Sequence, residues 1–231
     1  MHNTTILKLL GLLEQDNKQE IKEILTHEML QNTDKKTAKL YNIVKKYLKQ
    51  VDKARPILMR IQHKNGKQFL CDGYTLHIFN TYQSELDTLP QTSEEESLNY
   101  PQIYNSNDYN FHEQSEEDKF IFANIKKYIN YIKAQPNHDK KEIIPILYHN
   151  MLFNAEFLAT AIDLHQNDLD TVKVAYDDKN KLAFKGEGVD SLIIPLRILN
   201  SEDLETHKQL LEDFKNKLKW VFTLLNLNRQ K

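Results

Sequence analysis

Five lysines recur at helical spacing near the start of this chain, at Lys35, Lys39, Lys46, Lys49 and Lys53. Because their steps are four, seven, three and four residues, an α-helix would carry them on one face. A row of ammonium groups, with Arg55 directly after it, can bind successive phosphates of duplex DNA without reading its sequence. A solvated helix face has the same pattern, so both interpretations stay open.

The residues between the lysines predict the helix that positions them. Apolar side chains fall at i, i+3, i+4, i+7, i+8 and i+11, which is the spacing of a core-facing stripe over 35–51. The stripe consists of Leu40, Ile43, Val44, Tyr47, Leu48 and Val51. The sequence therefore predicts an amphipathic helix with lysines on its exposed face.

Catalytic and metal-binding patterns do not stand out elsewhere in the sequence. The nine histidines are scattered and include no His-Glu-x-x-His; His27-Glu28 lacks the second histidine. The sequence has no phosphate-binding glycine loop and no Gly-x-Ser-x-Gly elbow. We therefore expect no enzyme, no cofactor and no metal.

Length and composition fit a globular protein with its own core. The chain has 231 residues, 40% of them hydrophobic, and a formal net charge of −2 that favours neither nucleic acid nor membrane. Cys71 is the single cysteine, which suits a reducing cytosol. The apolar N-terminal run is too short to span a bilayer and lacks a cleavage pattern, so we expect a cytoplasmic protein without a membrane partner.

Strand signals follow the lysine helix. Pro56–Ile61 is predicted as a short strand, Asn65-Gly66 as a hairpin turn, and Gln68–Cys71 and Tyr74–Asn80 as returning strands. Tyr74–Asn80 alternates in the manner of a half-buried strand. The polar stretch 85–117 is predicted to be a surface excursion without regular elements.

The second half of the chain mixes helices and strands. Further strands are predicted at Ile143–Leu147, Thr171–Tyr176, Lys181–Lys185 and Ser191–Ile198. Helices are predicted at Phe120–Ile132, from an Asn154 cap through Leu164, and at Asp203–Asn228. Residues 4–30 are also predicted to be helical, with Asp16 as a cap between two short helices. This mixture predicts an α+β fold.

The closing helix carries a heptad-like seam that has two interpretations. Its apolar positions alternate in steps of three and four, with one polar member: Leu204, His207, Leu211, Phe214, Leu218, Val221 and Leu225. The seam can pack back on its own domain, or it can pair with a second chain. Self-association would make the protein a homo-oligomer.

Three short sequences, taken together and in order, resemble the DNA sliding-clamp family, as in the bacterial DNA polymerase III beta subunit. Arg55-Pro56-Ile57-Leu58 is similar to the start of that family's first strands. Cys71-Asp72-Gly73-Tyr74-Thr75-Leu76 is similar to its aspartate-glycine turn. Phe153-Asn154-Ala155-Glu156-Phe157-Leu158, with Ile194-Pro195-Leu196-Arg197-Ile198, is similar to its last helix and terminal strand.

The resemblance covers about 35–82 and 143–198 and implies a clamp-like (processivity-fold) domain. The implied organisation is an N-terminal helical extension at 1–33, a clamp-like domain at 34–200 with an insertion at about 83–142, and a C-terminal helix at 201–231. The family's turn and last strand form a pocket for short linear peptides of polymerases and repair proteins. The matching positions are Tyr74, Thr75, Leu76, Ile194, Pro195, Leu196 and Arg197.

Two functions follow from the resemblance. The first is a sliding-clamp-like processivity or tethering protein, encoded by a phage or mobile element, that binds duplex DNA. The second is a clamp-derived interaction module or inhibitor that binds a protein and does not encircle DNA. The lysine row favours the first. The acidic excursion with Glu94, Glu95 and Glu96, the acidic Glu156 and Asp163 on the second clamp helix, and the single-domain length favour the other.

Overall fold

The computed structural model describes most of the chain. Outside the description lie 1–7, 10–11, 14–16, 19, 22–23, 26–34, 52, 137, 140–141, 177–180, 197–200 and 230–231, and the side chains of 201–204 and 220–229. The chain forms two compact units. One contains Met1–Asp72 and Phe79–Asn99; the other contains Gly73–Ile78 and Tyr100–Lys231. Both predicted element types are present, which confirms the α+β class.

Helix α1, Lys35–Gln50, is the main helix of the first unit. Tyr41, Val44, Tyr47 and Leu48 are buried along one side, as the apolar stripe predicts. Before it, the predicted helical region 4–30 is described only at scattered positions, which are helical apart from Asn17. Asn17 accepts a hydrogen bond from the backbone of Glu20 at 3.3 Å, whereas the predicted cap Asp16 lies outside the described residues.

The prediction of a strand at Pro56–Ile61 is wrong. Pro56–Met59 is a 3₁₀ helix, closed by the Leu58 N–H donating to the Arg55 carbonyl at 3.0 Å. Proline is suited to the first position of such a turn because its φ is fixed and no N–H is needed there. Only Ile61, paired in a parallel bridge with Gln91, has strand-type contacts.

The predicted hairpin is confirmed. Strand β1, Gln62–Lys64, pairs antiparallel with β2, Lys67–Cys71, so that Lys64 lies opposite Lys67. The two turn residues both have positive φ, 54° at Asn65 and 72° at Gly66, as this type of tight turn requires. Asparagine and glycine tolerate that backbone best, which explains why the signal was readable in the sequence.

The stretch 85–117 is more ordered than predicted. Three 3₁₀ turns occur, at Ser84–Thr88, Tyr100–Gln102 and Ser106–Asp108. Leu86 and Tyr104 are buried, one in each unit. Polar side chains satisfy the irregular backbone: the Gln62 side-chain oxygen, for instance, accepts from the Leu98 N–H at 2.8 Å. Such long-range partners carry no periodic signal in the sequence.

The second unit is built on an antiparallel sheet. Its strands are β3 (Thr75–Phe79), β6 (Lys173–Tyr176), β7 (Leu182–Lys185) and β8 (Val189–Ile193). Strand β3 extends one residue beyond the unit. Their order is β3-β8-β7-β6. Strand β3 is buried at all five positions, so the predicted half-buried alternation is wrong. Strand β8 ends at Ile193, earlier than predicted and two residues before Pro195, which has no N–H to continue it.

A second hairpin joins β4, Pro145–Tyr148, to β5, Met151–Asn154. The sequence predicted a strand near β4 but not β5. The reason lies in the turn, because His149 and Asn150 take positive φ values of 48° and 58° without a glycine. Asn154 then caps α3, Ala155–Leu164, by accepting from the Glu156 N–H at 2.9 Å, which confirms the predicted cap.

Two longer helices complete the second unit: α2, Glu116–Lys133, and α4, Ser201–Arg229. Phe214 of α4 lies among three aromatic rings of α2, those of Phe120, Tyr128 and Tyr131, at centroid distances of 6.4, 5.3 and 5.6 Å. Leu211 is buried in the same core. This part of the predicted seam therefore packs on its own unit, while the side chains of Val221 and Leu225 lie outside the described residues. Over the described residues, no helix combines the length and apolar character needed to cross a bilayer.

Asp118 of α2 is a fully buried carboxylate that joins three segments. Its Oδ2 accepts from the Ser115 N–H at 2.6 Å in a capping box, and its Oδ1 accepts from the Tyr148 hydroxyl and from His149 Nε2, the latter at 2.8 Å. Burial alone would raise the pKa of Asp118, but the hydrogen bonds from His149, Tyr148 and Ser115 hold it well below its ordinary range. The ring of His149 also stacks on Tyr176 at 4.2 Å. The start of α2 is thereby fixed to the β4–β5 turn.

The Asp118→Asn variant should lose about 3 kcal/mol of unfolding free energy, since an amide NH₂ would face hydrogen-bond donors in a buried site. Denaturant unfolding at neutral pH measures this loss. Glu116→Gln is the matched control, because Glu116 is exposed on the same helix and pairs only with the exposed Lys119, and it should change stability by less than about 0.5 kcal/mol. An Asp118→Asn variant as stable as the parent would show that the carboxylate does not organise this region.

Candidate nucleic-acid and peptide-binding surfaces

The lysines of α1 form an exposed basic face in the first unit. Lys35, Lys39, Lys46 and Lys49 are all exposed, on the side opposite Val44. The helix contains no acidic residue. Among the ion pairs of the described residues, none involves these four lysines. We call these four residues the lysine face; no carboxylate among the described residues pairs with them.

The lysine face borders a shallow groove of about 430 Å³ along α1. Its lining consists of Lys35, Ala38, Lys39, Asn42, Ile43 and Lys46. From Lys35 to Lys49 the face extends roughly 21 Å along the helix axis, at about 1.5 Å per residue. Helix α1 ends at Gln50, so Lys53 and Arg55 lie beyond it and are exposed in the following segment. A polyanion longer than one phosphate could thus follow the helix.

In the second unit, the structure brings the two predicted peptide-binding segments together. The Ile194 N–H donates to the Tyr74 carbonyl at 2.9 Å, and the Leu196 N–H donates to the Leu152 carbonyl at 2.7 Å. The Tyr74 ring stacks against Phe157 of α3 with centroids 6.0 Å apart. Segments 120 residues apart in sequence therefore meet at one place.

Only some of the predicted residues are accessible there. Tyr74 is 54% exposed and Ile194 39% exposed, while Pro195 and Leu196 are half-buried. Thr75 and Leu76 are buried and act as core residues. Arg197 lies outside the described residues. We call the accessible apolar group the Tyr74–Ile194 edge: Tyr74, Phe157, Ile194, Pro195 and Leu196.

A buried polar bridge, which the sequence patterns did not predict, underlies this edge. The Ser191 hydroxyl of β8 is hydrogen-bonded to His77 Nδ1 of β3 at 2.9 Å and to His165 Nε2, just after α3, at 3.0 Å. Because both imidazoles face one hydroxyl, it can donate to one ring and accept from the other. The available signal was weak: a histidine and a serine, each inside an apolar strand.

The electrostatics of the bridge favour neutral histidines. Burial, with His165 nearby as a smaller cause, lowers the pKa of His77 to about 3. Burial also lowers the pKa of His165 to about 4, although the Asp168 carboxylate, 3.9 Å from its Nδ1, acts in the opposite direction. Both rings are therefore uncharged at neutral pH.

Ser191, His165 and Asp168 have the residue types of a hydrolytic triad, but their arrangement suits positioning. Ser191 is only 1% exposed, and its hydroxyl is enclosed by the two rings. Asp168 Oδ2 accepts from the backbone N–H groups of Glu187 and Gly188 at 2.5 and 3.3 Å. The group thus ties β3, β8 and the β7–β8 turn together.

That turn requires glycine at its first position. A Cβ on Gly186 would lie 2.5 Å from both Asp168 Oδ2 and His165 Nδ1, closer than real Cβ atoms come. The backbone can therefore pass against the histidine and carboxylate only without a side chain. Among the residues that the structure describes, no three His, Cys, Asp or Glu side chains are grouped to hold a metal ion.

Comparisons with protein-family models, with curated proteins and with solved structures give no match to this chain. The candidate surfaces therefore stand on their own geometry and on the local sequence resemblance.

Acid should destabilise the protein through the buried histidines. Since their folded-state pKa values, about 3 and about 4, lie below the ordinary 6.5, the unfolded chain takes up protons first as pH falls. The stability that they contribute is complete above pH 6.5 and is lost between pH 6.5 and about 3. Each histidine adds a slope of about 1.4 kcal/mol per pH unit.

Denaturant unfolding measured at several pH values tests this slope. In the His165→Gln variant, the slope of unfolding free energy against pH between pH 6 and pH 4.5 should be smaller by the contribution of one histidine. This reduction is expected whatever the absolute stability of the variant. Identical slopes in the parent and in His165→Gln would contradict the assignment of a neutral, buried His165.

Proposed function

We propose that this chain is a sliding-clamp-like DNA tether: it binds duplex DNA through the lysine face without reading sequence, and it docks short peptides of replication or repair proteins at the Tyr74–Ile194 edge. The lysine face carries the proposal, because its charges are exposed and no carboxylate of the described residues pairs with them. The two other supports are the family resemblance and the meeting of its two peptide-binding motifs. A cytoplasmic protein of a phage or mobile element fits this role.

Phosphate binding explains why α1 is divided into two faces. Lysine is a flexible point charge with three donors, suited to phosphates at variable positions rather than to bases. Neutralised phosphates release their counterions, which supplies most of the affinity of sequence-independent binding. The remaining side of α1 is buried and holds the row in place.

The Tyr74–Ile194 edge suits an extended apolar peptide. Pro195 lies two residues after the end of β8 and has no N–H to continue the strand pairing, so apolar side chains are left at the surface there. Tyr74 offers a large, rigid aromatic contact that loses little entropy on binding. These features support docking of a short linear segment.

One observation favours the alternative function, an interaction module that does not bind DNA. The outward acidic residues of α3 are paired with lysines of α2: Lys133 with Glu156 at 2.6 Å and Lys126 with Asp163 at 2.5 Å. Helix α3 itself contains no lysine or arginine, so it presents no positive charge to DNA. If DNA is not the partner, the Tyr74–Ile194 edge would still provide a protein-binding surface.

Replacing Lys46 and Lys49 together by glutamate should weaken binding to a labelled 30-base-pair duplex at least about tenfold at roughly 50 mM salt, because contacts become repulsions. Fluorescence anisotropy measures this affinity, and circular dichroism checks folding.

The control double variant is Lys119→Glu with Lys208→Glu, which changes the net charge by the same amount. Each of these lysines already pairs with a carboxylate one turn away, Glu116 and Glu205. The control should keep near-parent affinity. Equal losses in both double variants would indicate general charge effects, and no binding by the parent would leave the interaction module as the function.

Encirclement of DNA also requires several copies of so small a chain. Light scattering on the full chain should therefore give a mass of two or more copies at micromolar concentration. A strictly monomeric mass, with or without duplex DNA, would rule out a ring and leave open-ended tethering.

A further inference from the structure

A second groove lies in the second unit, between α2 and α4, with a volume of about 360 Å³. Its walls come from both helices, and its lining consists of Lys127, Asn130, Tyr131, Phe214, Lys217 and Leu218. We call it the α2–α4 groove. None of its residues belongs to the lysine face or to the Tyr74–Ile194 edge. Its volume is within the range of sites that take a few side chains of a ligand.

The chemistry of the α2–α4 groove is apolar with a cationic border. Tyr131, Phe214 and Leu218 supply the apolar walls, and one lysine stands on each helix. Among the described residues, the lining contains no acidic side chain. Lys217 makes no ion pair with a described residue; its ammonium lies 4.9 Å from the centroid of the Tyr131 ring. That cation–π contact holds the charge at the border of the groove and leaves N–H groups for an anion.

We propose that the α2–α4 groove binds a short peptide segment in which apolar side chains are flanked by acidic residues. The apolar side chains would bury against Leu218 and the aromatic wall, which is favourable in proportion to the area removed from water. The carboxylates would pair with Lys127 and Lys217 on opposite sides. Charge complementarity of this kind sets partner choice and association rate.

The geometry favours a peptide over a single-stranded nucleic acid, although phosphates would also suit the lysines. Stacking of a base requires an open aromatic face. One face of Tyr131 is covered by the Lys217 ammonium, and Phe214 is buried among the rings of α2. Of the lining residues that the structure describes, only Asn130 has a side-chain amide that could read a base edge.

The test uses the full chain and a fluorescein-labelled probe peptide, Glu-Asp-Leu-Leu-Asp-Glu, in fluorescence anisotropy. A matched probe replaces each acid by its amide, Gln-Asn-Leu-Leu-Asn-Gln. We expect saturable binding of the acidic probe and at least about tenfold weaker binding of the amide probe. Lys217→Glu should weaken the acidic probe by at least about tenfold, since an attraction becomes a repulsion.

Three controls keep the α2–α4 groove apart from the proposed function. Lys208→Glu, an exposed change on the same helix outside the lining, should leave the acidic probe within about twofold. Ile194→Ser should also leave it unchanged, even where it weakens docking at the Tyr74–Ile194 edge. The Lys46→Glu, Lys49→Glu variant should bind the probe like the parent. Failure of DNA binding would therefore not affect this result.

Any of four results would overturn the inference. The first is no saturable binding of the acidic probe up to about 1 mM, and the second is equal binding of the amide probe. The third is that Ile194→Ser abolishes binding of the acidic probe whereas Lys217→Glu does not. The fourth is tighter, Lys217-dependent binding of a labelled twelve-residue oligothymidylate. The last result would assign the α2–α4 groove to single-stranded nucleic acid.

Discussion

The hydrogen bonds of the Ser191 hydroxyl to His77 and His165 are the constraint on which the second unit depends. Polar groups placed in a core cost free energy unless they find partners. Shifting β3 by one residue against β8 would turn its side chains to the other face and leave these groups unpaired. The register that satisfies Ser191 is also the one that pairs Ile194 with Tyr74. Formation of the Tyr74–Ile194 edge is therefore linked to a buried polar bridge.

The surfaces of the protein are of two kinds: those whose lysines pair with carboxylates, and those whose lysines do not pair with a described carboxylate. The ion pairs of α2 with α3, and those within α2 and α4, join lysines to acids one turn away or on the neighbouring helix. Exposed pairs of this type add little stability but cancel the local field. Over the described residues, no ion pair cancels the charges of the lysine face of α1 or of Lys217 in the α2–α4 groove. Both proposed binding functions use lysine charges that no described carboxylate cancels and that packed helices hold in place.

Local signals predicted much of the fold. Asn65-Gly66 predicted a hairpin because few residues tolerate its backbone, and Asn154 predicted the start of α3 because its side chain caps the first turn. Pro56 gave an ambiguous signal, since a proline that can start an edge strand can equally start a 3₁₀ helix. The β4–β5 turn at His149 was missed because it adopts positive φ without glycine.

The candidate sites also differ in how far the sequence could predict them. The lysine face could be read from one helix, whereas the Ser191 bridge joins residues 114 positions apart and has no pattern in a single sequence. The α2–α4 groove likewise depends on two distant helices. Long-range pairing, which decides where isolated polar residues find partners, is what a single sequence does not contain.

The most direct measurement of the central claim is the salt dependence of duplex DNA affinity for the full chain. If the four residues of the lysine face each neutralise one phosphate, the logarithm of the association constant should fall with the logarithm of salt concentration with a slope of about −3.6. Binding should also be equal for duplexes of unrelated sequence. A slope near zero, or no binding at about 50 mM salt, would contradict the account.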